Sequence, residues 1–181
     1  MTDAAARPPS AVTEPLVEVV TDTPDWTAAV PELAELAEST VRLALEAGGQ
    51  DPERWQVALL ACSAERIREL NARFRDKDAP TDVLSFPAFA TLPEAPEPRT
   101  PLGDIAIALE PARADAAMQS TPLKDHVTHL ILHGCLHLLG FDHNTEEEAC
   151  IMEGMESRAL ARLGISDPYA EGVAADPRPK E

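Results

Sequence analysis

The chain has 181 residues, 44% of them hydrophobic, which suits one domain with a proper core. Fifteen basic against 32 acidic side chains give a formal charge of −17, and this excludes a broad nucleic-acid-binding surface, because phosphate binding draws on clustered Lys and Arg. Three cysteines without a CxxC spacing argue against a disulfide framework and fit a reducing cytoplasm, and neither a signal peptide nor a membrane span is expected from the Pro/Ala-rich start.

Residues 1–14 and 165–181 are short in large apolar side chains and are expected to be disordered tails around one domain at 15–164. Within it, LVEVV (16–20) reads as a strand. The following DWTAAVPELAELAESTVRLALEAGG carries Val30, Leu33, Leu36, Val41 and Leu45 at near-helical spacing and closes on a Gly pair. WQVALLA (55–61) suits a buried strand. Ser63 then caps a helix, SAERIRELNARFR, with Ile67, Leu70 and Phe74 on one side and the arginines largely on the other.

TDVLSF (81–86) and GDIAIAL (103–109) read as two more strands, separated by a proline-loaded loop at 88–101 and followed by a short helix near 110–119. Two C-terminal helices come next. Thr121, with Pro122 in the first turn, is expected to cap the first, which Gly140 ends; Thr145 with Glu148 forms a capping box for the second, which Gly164 ends. The fold class is α+β, a small mixed four-stranded sheet packed with about five helices.

Residues 133–143 read HGCLHLLGFDH. On a helix, His133 and His137 stand about 40° apart around the axis and about 6 Å apart along it, so both imidazoles reach one cation. Gly140 ends the helix and lets His143 swing back as a third ligand. This is the histidine spacing of the metzincin motif HExxHxxGxxH, and three imidazoles leave a fourth tetrahedral corner of zinc open. An HxxxH pair alone would be unremarkable; the glycine and the third histidine give it meaning.

His129, one turn earlier, is too far along the axis to join the same ion and is expected in a supporting role, while Cys62, Cys135 and Cys150 read as packed thiols. Asp142 either stabilises the turn or orients a ligand. Gly134 stands where a zinc protease keeps its general base, which disfavours peptide hydrolysis. A phosphodiester asks chiefly for stabilisation of negative charge, which zinc and arginine supply. The one basic island is residues 66–77 (RIRELNARFRDK), with five basic and two acidic side chains.

Three blocks, HGCLHLLGFDH, LNARFRDKDAPTDVLSFP (70–87) and LGDIAIALE (102–110), occur in family order and resemble the YbeY family of bacterial zinc-dependent endoribonucleases, also called rRNA maturation factors, over roughly residues 15–163. The resemblance implies a cytoplasmic, single-strand-specific endoribonuclease acting in maturation of the 3′ end of 16S rRNA and in ribosome quality control. It implies one zinc per chain on His133, His137 and His143, and it makes Arg75 the functionally important arginine, expected to hold the scissile phosphate. Arg66, Arg73 and Lys77 complete the expected cationic cleft, and Asp82, Ser85 and Asp104 are expected to fix backbone. Ala108 and Phe141 depart from the common family residues without changing a ligand.

The acidic balance stands against this picture, and trimming the tails leaves about −14 after their −1 and −2. A second reading is therefore kept: a non-catalytic ribosome assembly factor with a structural zinc, its acidic surface engaging small-subunit ribosomal proteins. A hydrolase of a small ester or amide is a third, disfavoured by the missing base and the arginine island. The expected partners are single-stranded RNA and rRNA precursor, with neither membrane nor DNA.

Overall fold

The computed structural model describes residues 14–170; of the tails expected at 1–14 and 165–181, residues 1–13 and 171–181 lie outside them. The chain runs β1 (Val17–Thr21), α1 (Asp25–Ala29), α2 (Leu33–Ala47), a 3-10 turn (Pro52–Arg54), β2 (Trp55–Cys62), α3 (Ala64–Arg75), β3 (Val83–Pro87), β4 (Thr100–Ala108), α4 (Leu109–Met118), α5 (Leu123–Leu138) and α6 (Glu146–Arg162). The sheet order is β1-β2-β4-β3, with β1, β2 and β4 parallel and β3 antiparallel to β4 at one edge. This is the α+β fold with a mixed four-stranded sheet that the residue pattern implies.

Strand alternation divides the core. Trp55, Val57, Leu59 and Ala61 of β2 join Ile105 and Ile107 of β4 on the face covered by α2 and α5. The other face offers Cys62, Leu84, Ala106 and Ala108 to Ile67 of α3. The histidine-bearing helix and the arginine-bearing helix thus lie on opposite faces of one thin sheet. Against α5, Leu136 packs with Met152 and Met155 of α6.

Several boundaries differ from expectation. The single helix expected after β1 breaks at Val30, whose backbone is extended (φ −137°, ψ 80°) because the Pro31 ring disfavours the helical region in the residue before it. Six α-helices result among the described residues, where about five were expected. Thr121 does not cap α5: its hydroxyl turns back to the Gln119 carbonyl, and Pro122 holds the cap position without a side-chain bond. Ser63 and the Thr145/Glu148 capping box form as expected.

β4 begins at Thr100 rather than Gly103, since Thr100 and Pro101 already pair with Trp55 and Gln56, and Leu109 starts α4 instead of ending the strand. Residues 165–170, expected in the tail, are ordered. Gly164 (φ +72°) donates to Ala161 and Ile165 to Leu160, a Schellman ending that turns Ile165 onto the main core and brings Tyr169 back toward α5. Cys150 is exposed rather than packed.

Candidate metal centre

α5 is buried on nearly every side, and its histidines form a ridge: His126, His129, His133 and His137 at i, i+3, i+7 and i+11, the first two buried and the last two partly open. Ring centroids fall 6.5, 6.2 and 4.6 Å apart along it. The helix ends in a second Schellman motif, with Gly140 (φ +90°) donating to His137 and Phe141 to Leu136. That reversal returns the chain, and the His143 ring comes to 5.0 Å from that of His137 and 5.4 Å from that of His133. Asp142 Oδ1 accepts the His143 N–H at 2.8 Å and the other carboxylate oxygen accepts from Asn144, so this side chain fastens the turn.

Donor atoms of His133, His137 and His143 lie within 4.8 Å of one another. The far nitrogens are committed. His133 Nδ1 bonds Glu156 Oε1 at 2.7 Å, and His137 Nδ1 donates to the Phe141 carbonyl at 3.0 Å, which fixes its tautomer because a carbonyl only accepts. The two Nε2 atoms are left facing each other at 3.0 Å. Lone pairs aimed at a shared point from rings whose other nitrogens are anchored are the donor set of a transition-metal site, so the residues fit the metal their spacing implies.

Charge supports the same arrangement. Burial, with the neighbouring His133 and His143, pushes the His137 imidazole down to about 4, so the ring is neutral at ordinary pH. For Glu156, burial works to raise the carboxyl, but the hydrogen bonds from His129 and His133 outweigh it and hold the group well below the usual carboxylate range. Glu156 Oε2 also takes His129 Nε2 at 3.1 Å and the Tyr169 hydroxyl. His129 shares Glu156 with His133, stands edge-on to the His133 ring at 6.2 Å, and with those two residues forms a second group whose ligand atoms lie within 4.8 Å of one another. Cys62 and Cys135 are buried thiols raised to about 12 by desolvation, outside the donor set.

Gly134 is where α5 presses on the sheet. A Cβ there would meet Ile105 Cγ2 at 3.0 Å and Ser85 Oγ at 3.1 Å, so the protease's glutamate has no room as well as no side chain. Ser85 Oγ donates to the Gly134 carbonyl at 3.2 Å, and the Ser85 carbonyl accepts from Arg75 Nη2 at 3.3 Å. Arg75, on the far face of the sheet, is thereby tied across the edge strand to the residue beside His133.

Of the other cations expected in the cleft, Arg66 lies apart, while Arg73 shares the last turn of α3 with Arg75. Arg66 sits in the first turn of α3, paired with Glu69 at 2.8 Å, nine residues or about 13 Å of helix rise from Arg75. Arg73 lies over the Phe74 ring, and Lys77 follows the left-handed cap residue Asp76. Asp82 accepts the Val83 N–H, the backbone role expected of it.

The model for the family described as "Endoribonuclease YbeY" matches residues 20–164. The chain belongs to the YbeY family. Relatives named Endoribonuclease YbeY include one from Ruegeria pomeroyi, 45% identical over 164 residues and covering 84% of this chain and 97% of the relative, and one from Jannaschia, 42% identical over 160 residues, with 84% and 99% covered. The solution structure of TM1509 from Thermotoga maritima, 21% identical, superposes with a TM-score of 0.53 over 84% of this chain and 98% of that one, a likeness of fold.

Two residues of the centre, Glu156 and Tyr169, escaped the sequence reading. Glu156 lay in a helix read only for its cap; the available signal was a carboxylate inside the apolar stripe of Met152, Met155, Ala159 and Leu160. Tyr169 fell in a segment read as tail.

Proposed function

We propose that this YbeY-family protein is a zinc-dependent, single-strand-specific endoribonuclease of the cytoplasm, acting on precursor rRNA at the 16S 3′ end and in ribosome quality control. The observation that carries the reading is the tether from Arg75 through Ser85 to Gly134, which couples a guanidinium to the three-histidine centre. The relatives' names support the RNA substrate.

His133, His137 and His143 would hold the metal, which when bound supplies Lewis-acid activation of the nucleophile and neutralises charge on the phosphate. Glu156 and the Phe141 carbonyl orient two of those rings by holding their Nδ1 atoms. Arg75 stays charged at any working pH and presents its remaining N–H groups to phosphate oxygens, stabilising charge that develops as the diester bond breaks. Gly134 removes the protease's base and lets the helix seat against Ser85, which keeps Arg75 in register.

The test is cleavage of a labelled single-stranded RNA and of its duplex by zinc-loaded protein, beside His137→Ala and Arg75→Ala variants confirmed as folded. Cutting of the single strand alone, lost in both variants, is the expected result. Normal cutting by Arg75→Ala would remove the arginine's role. No cutting by any sample, together with capture of small-subunit ribosomal proteins, would favour the non-catalytic assembly factor.

A further inference from the structure

Phe74 is an aromatic side chain that the metal centre leaves unused. It is 54% exposed in the last turn of α3, although Ile67 on the same helix is fully buried. The ring stands edge-on to Phe86 of β3, centroids 5.2 Å apart at 65°, and the Arg73 guanidinium lies 5.1 Å from its centroid. Phe86 meets the ring edge-on and Arg73 lies over it, yet the residue stays 54% exposed. Its neighbour is Arg75, whose guanidinium crosses edge strand β3 to the Ser85 carbonyl and so to the peptide beside His133.

The rest of the helix is electrically quiet. Arg66 pairs with Glu69, and Arg68 binds Asp78 through two nitrogens at 2.6 and 2.9 Å. What α3 offers at its C-terminal end is an exposed π-face, a guanidinium plane against it, and a second guanidinium one residue on.

We infer that Phe74, with Arg73, is a stacking site for an unpaired nucleobase of single-stranded RNA next to the phosphate held by Arg75. The inference rests on the ribonuclease reading and deepens it. A base within a duplex has both faces covered by its neighbours, whereas an unpaired base can lay one face on an aromatic ring or a guanidinium. Phosphate contacts alone do not separate single strands from duplexes; a stacking platform does. The overall charge of −17 also makes long-range attraction of RNA weak, so a short-range contact indifferent to charge has particular value here.

The test uses zinc-loaded protein and a labelled single-stranded RNA in which one abasic nucleotide is walked through the sequence. It compares the wild type with Phe74→Leu, which keeps an apolar contact to Phe86 but no π-face, and with Phe74→Trp, which keeps the face. For the wild type, an abasic nucleotide at one position near the cut should raise KM roughly 5- to 30-fold, the lower part of the range for one base–aromatic stack. Phe74→Leu should show that loss on intact RNA and no further loss at that position, while Phe74→Trp retains wild-type behaviour. If Phe74→Leu matches the wild type on every RNA, the stacking site is overturned and the nuclease stands. If the wild type cuts no RNA, both readings fall.

Discussion

Glu156 is fully buried on a helix face otherwise made of Met152, Met155, Ala159 and Leu160. A carboxylate in such a place is costly unless its lone pairs are filled, and here two histidines and a tyrosine fill them. Its value to the molecule is orientation: the bond to His133 Nδ1 points Nε2 at the other ligands. Glu156→Gln keeps the volume but turns one acceptor into a donor facing an imidazole. Zinc affinity should fall about 10- to 100-fold, measured by competition with a coloured chelator, while the fold survives. Unchanged affinity would mean that Glu156 merely fills space. The clustering of the three histidines was legible because one helix turn and one glycine place them within eleven residues. Glu156 was not, because its partnership spans 23 residues between helices and depends on how α6 packs on α5.

At the scale of elements, α5 couples the site to the sheet. Gly134 in mid-helix forgoes about 1 kcal/mol of helix propensity relative to alanine, so close packing must compensate. The facing atoms, Ile105 Cγ2 and Ser85 Oγ, stand on the paired strands β4 and β3 and would each have to give by a few tenths of an ångström. Gly134→Ala is expected to lose more through overpacking, about 1 to 3 kcal/mol, than it gains in propensity, a net destabilisation of about 1 kcal/mol by urea unfolding. It should also loosen the Ser85 link to Arg75, lowering RNA cleavage more than zinc affinity; a variant as stable and active as the parent would refute the packing argument. Strands and helices were legible from their periods, as β2 shows with Trp55, Val57, Leu59 and Ala61 on one face. What the period could not reveal was the break at Val30, decided by the backbone preference of a residue before proline, and the loss of Thr121 as a cap, whose hydroxyl bonds the Gln119 carbonyl instead.

For the whole molecule, protons and metal compete for the same rings. His137 in the folded chain titrates near 4 against its usual 6.5. Between those values the unfolded chain binds a proton that the folded chain refuses, so stability rises with pH and falls as pH drops through that window. At about 1.4 kcal/mol per unit the full shift would be worth about 3 kcal/mol, and partial solvent access to the ring reduces this to about 1 to 2 kcal/mol. Glu156 acts lower: its carboxyl is held below the usual 4.5, so its contribution persists above that value and is lost only in stronger acid. Chelator-treated protein should therefore weaken in two stages, the first belonging to His137 and the second to Glu156. Zinc adds RT ln(1 + [L]/Kd) to stability, and since the folded chain keeps His137 neutral down to about 4, proton competition at this ring should cut that increment only as pH approaches 4. Urea unfolding between neutral pH and about 4, with and without chelator, should show His137→Ala flattening the first stage and abolishing the zinc increment. If the variant follows the parent's pH dependence in the absence of zinc, the acid sensitivity arises elsewhere than at His137.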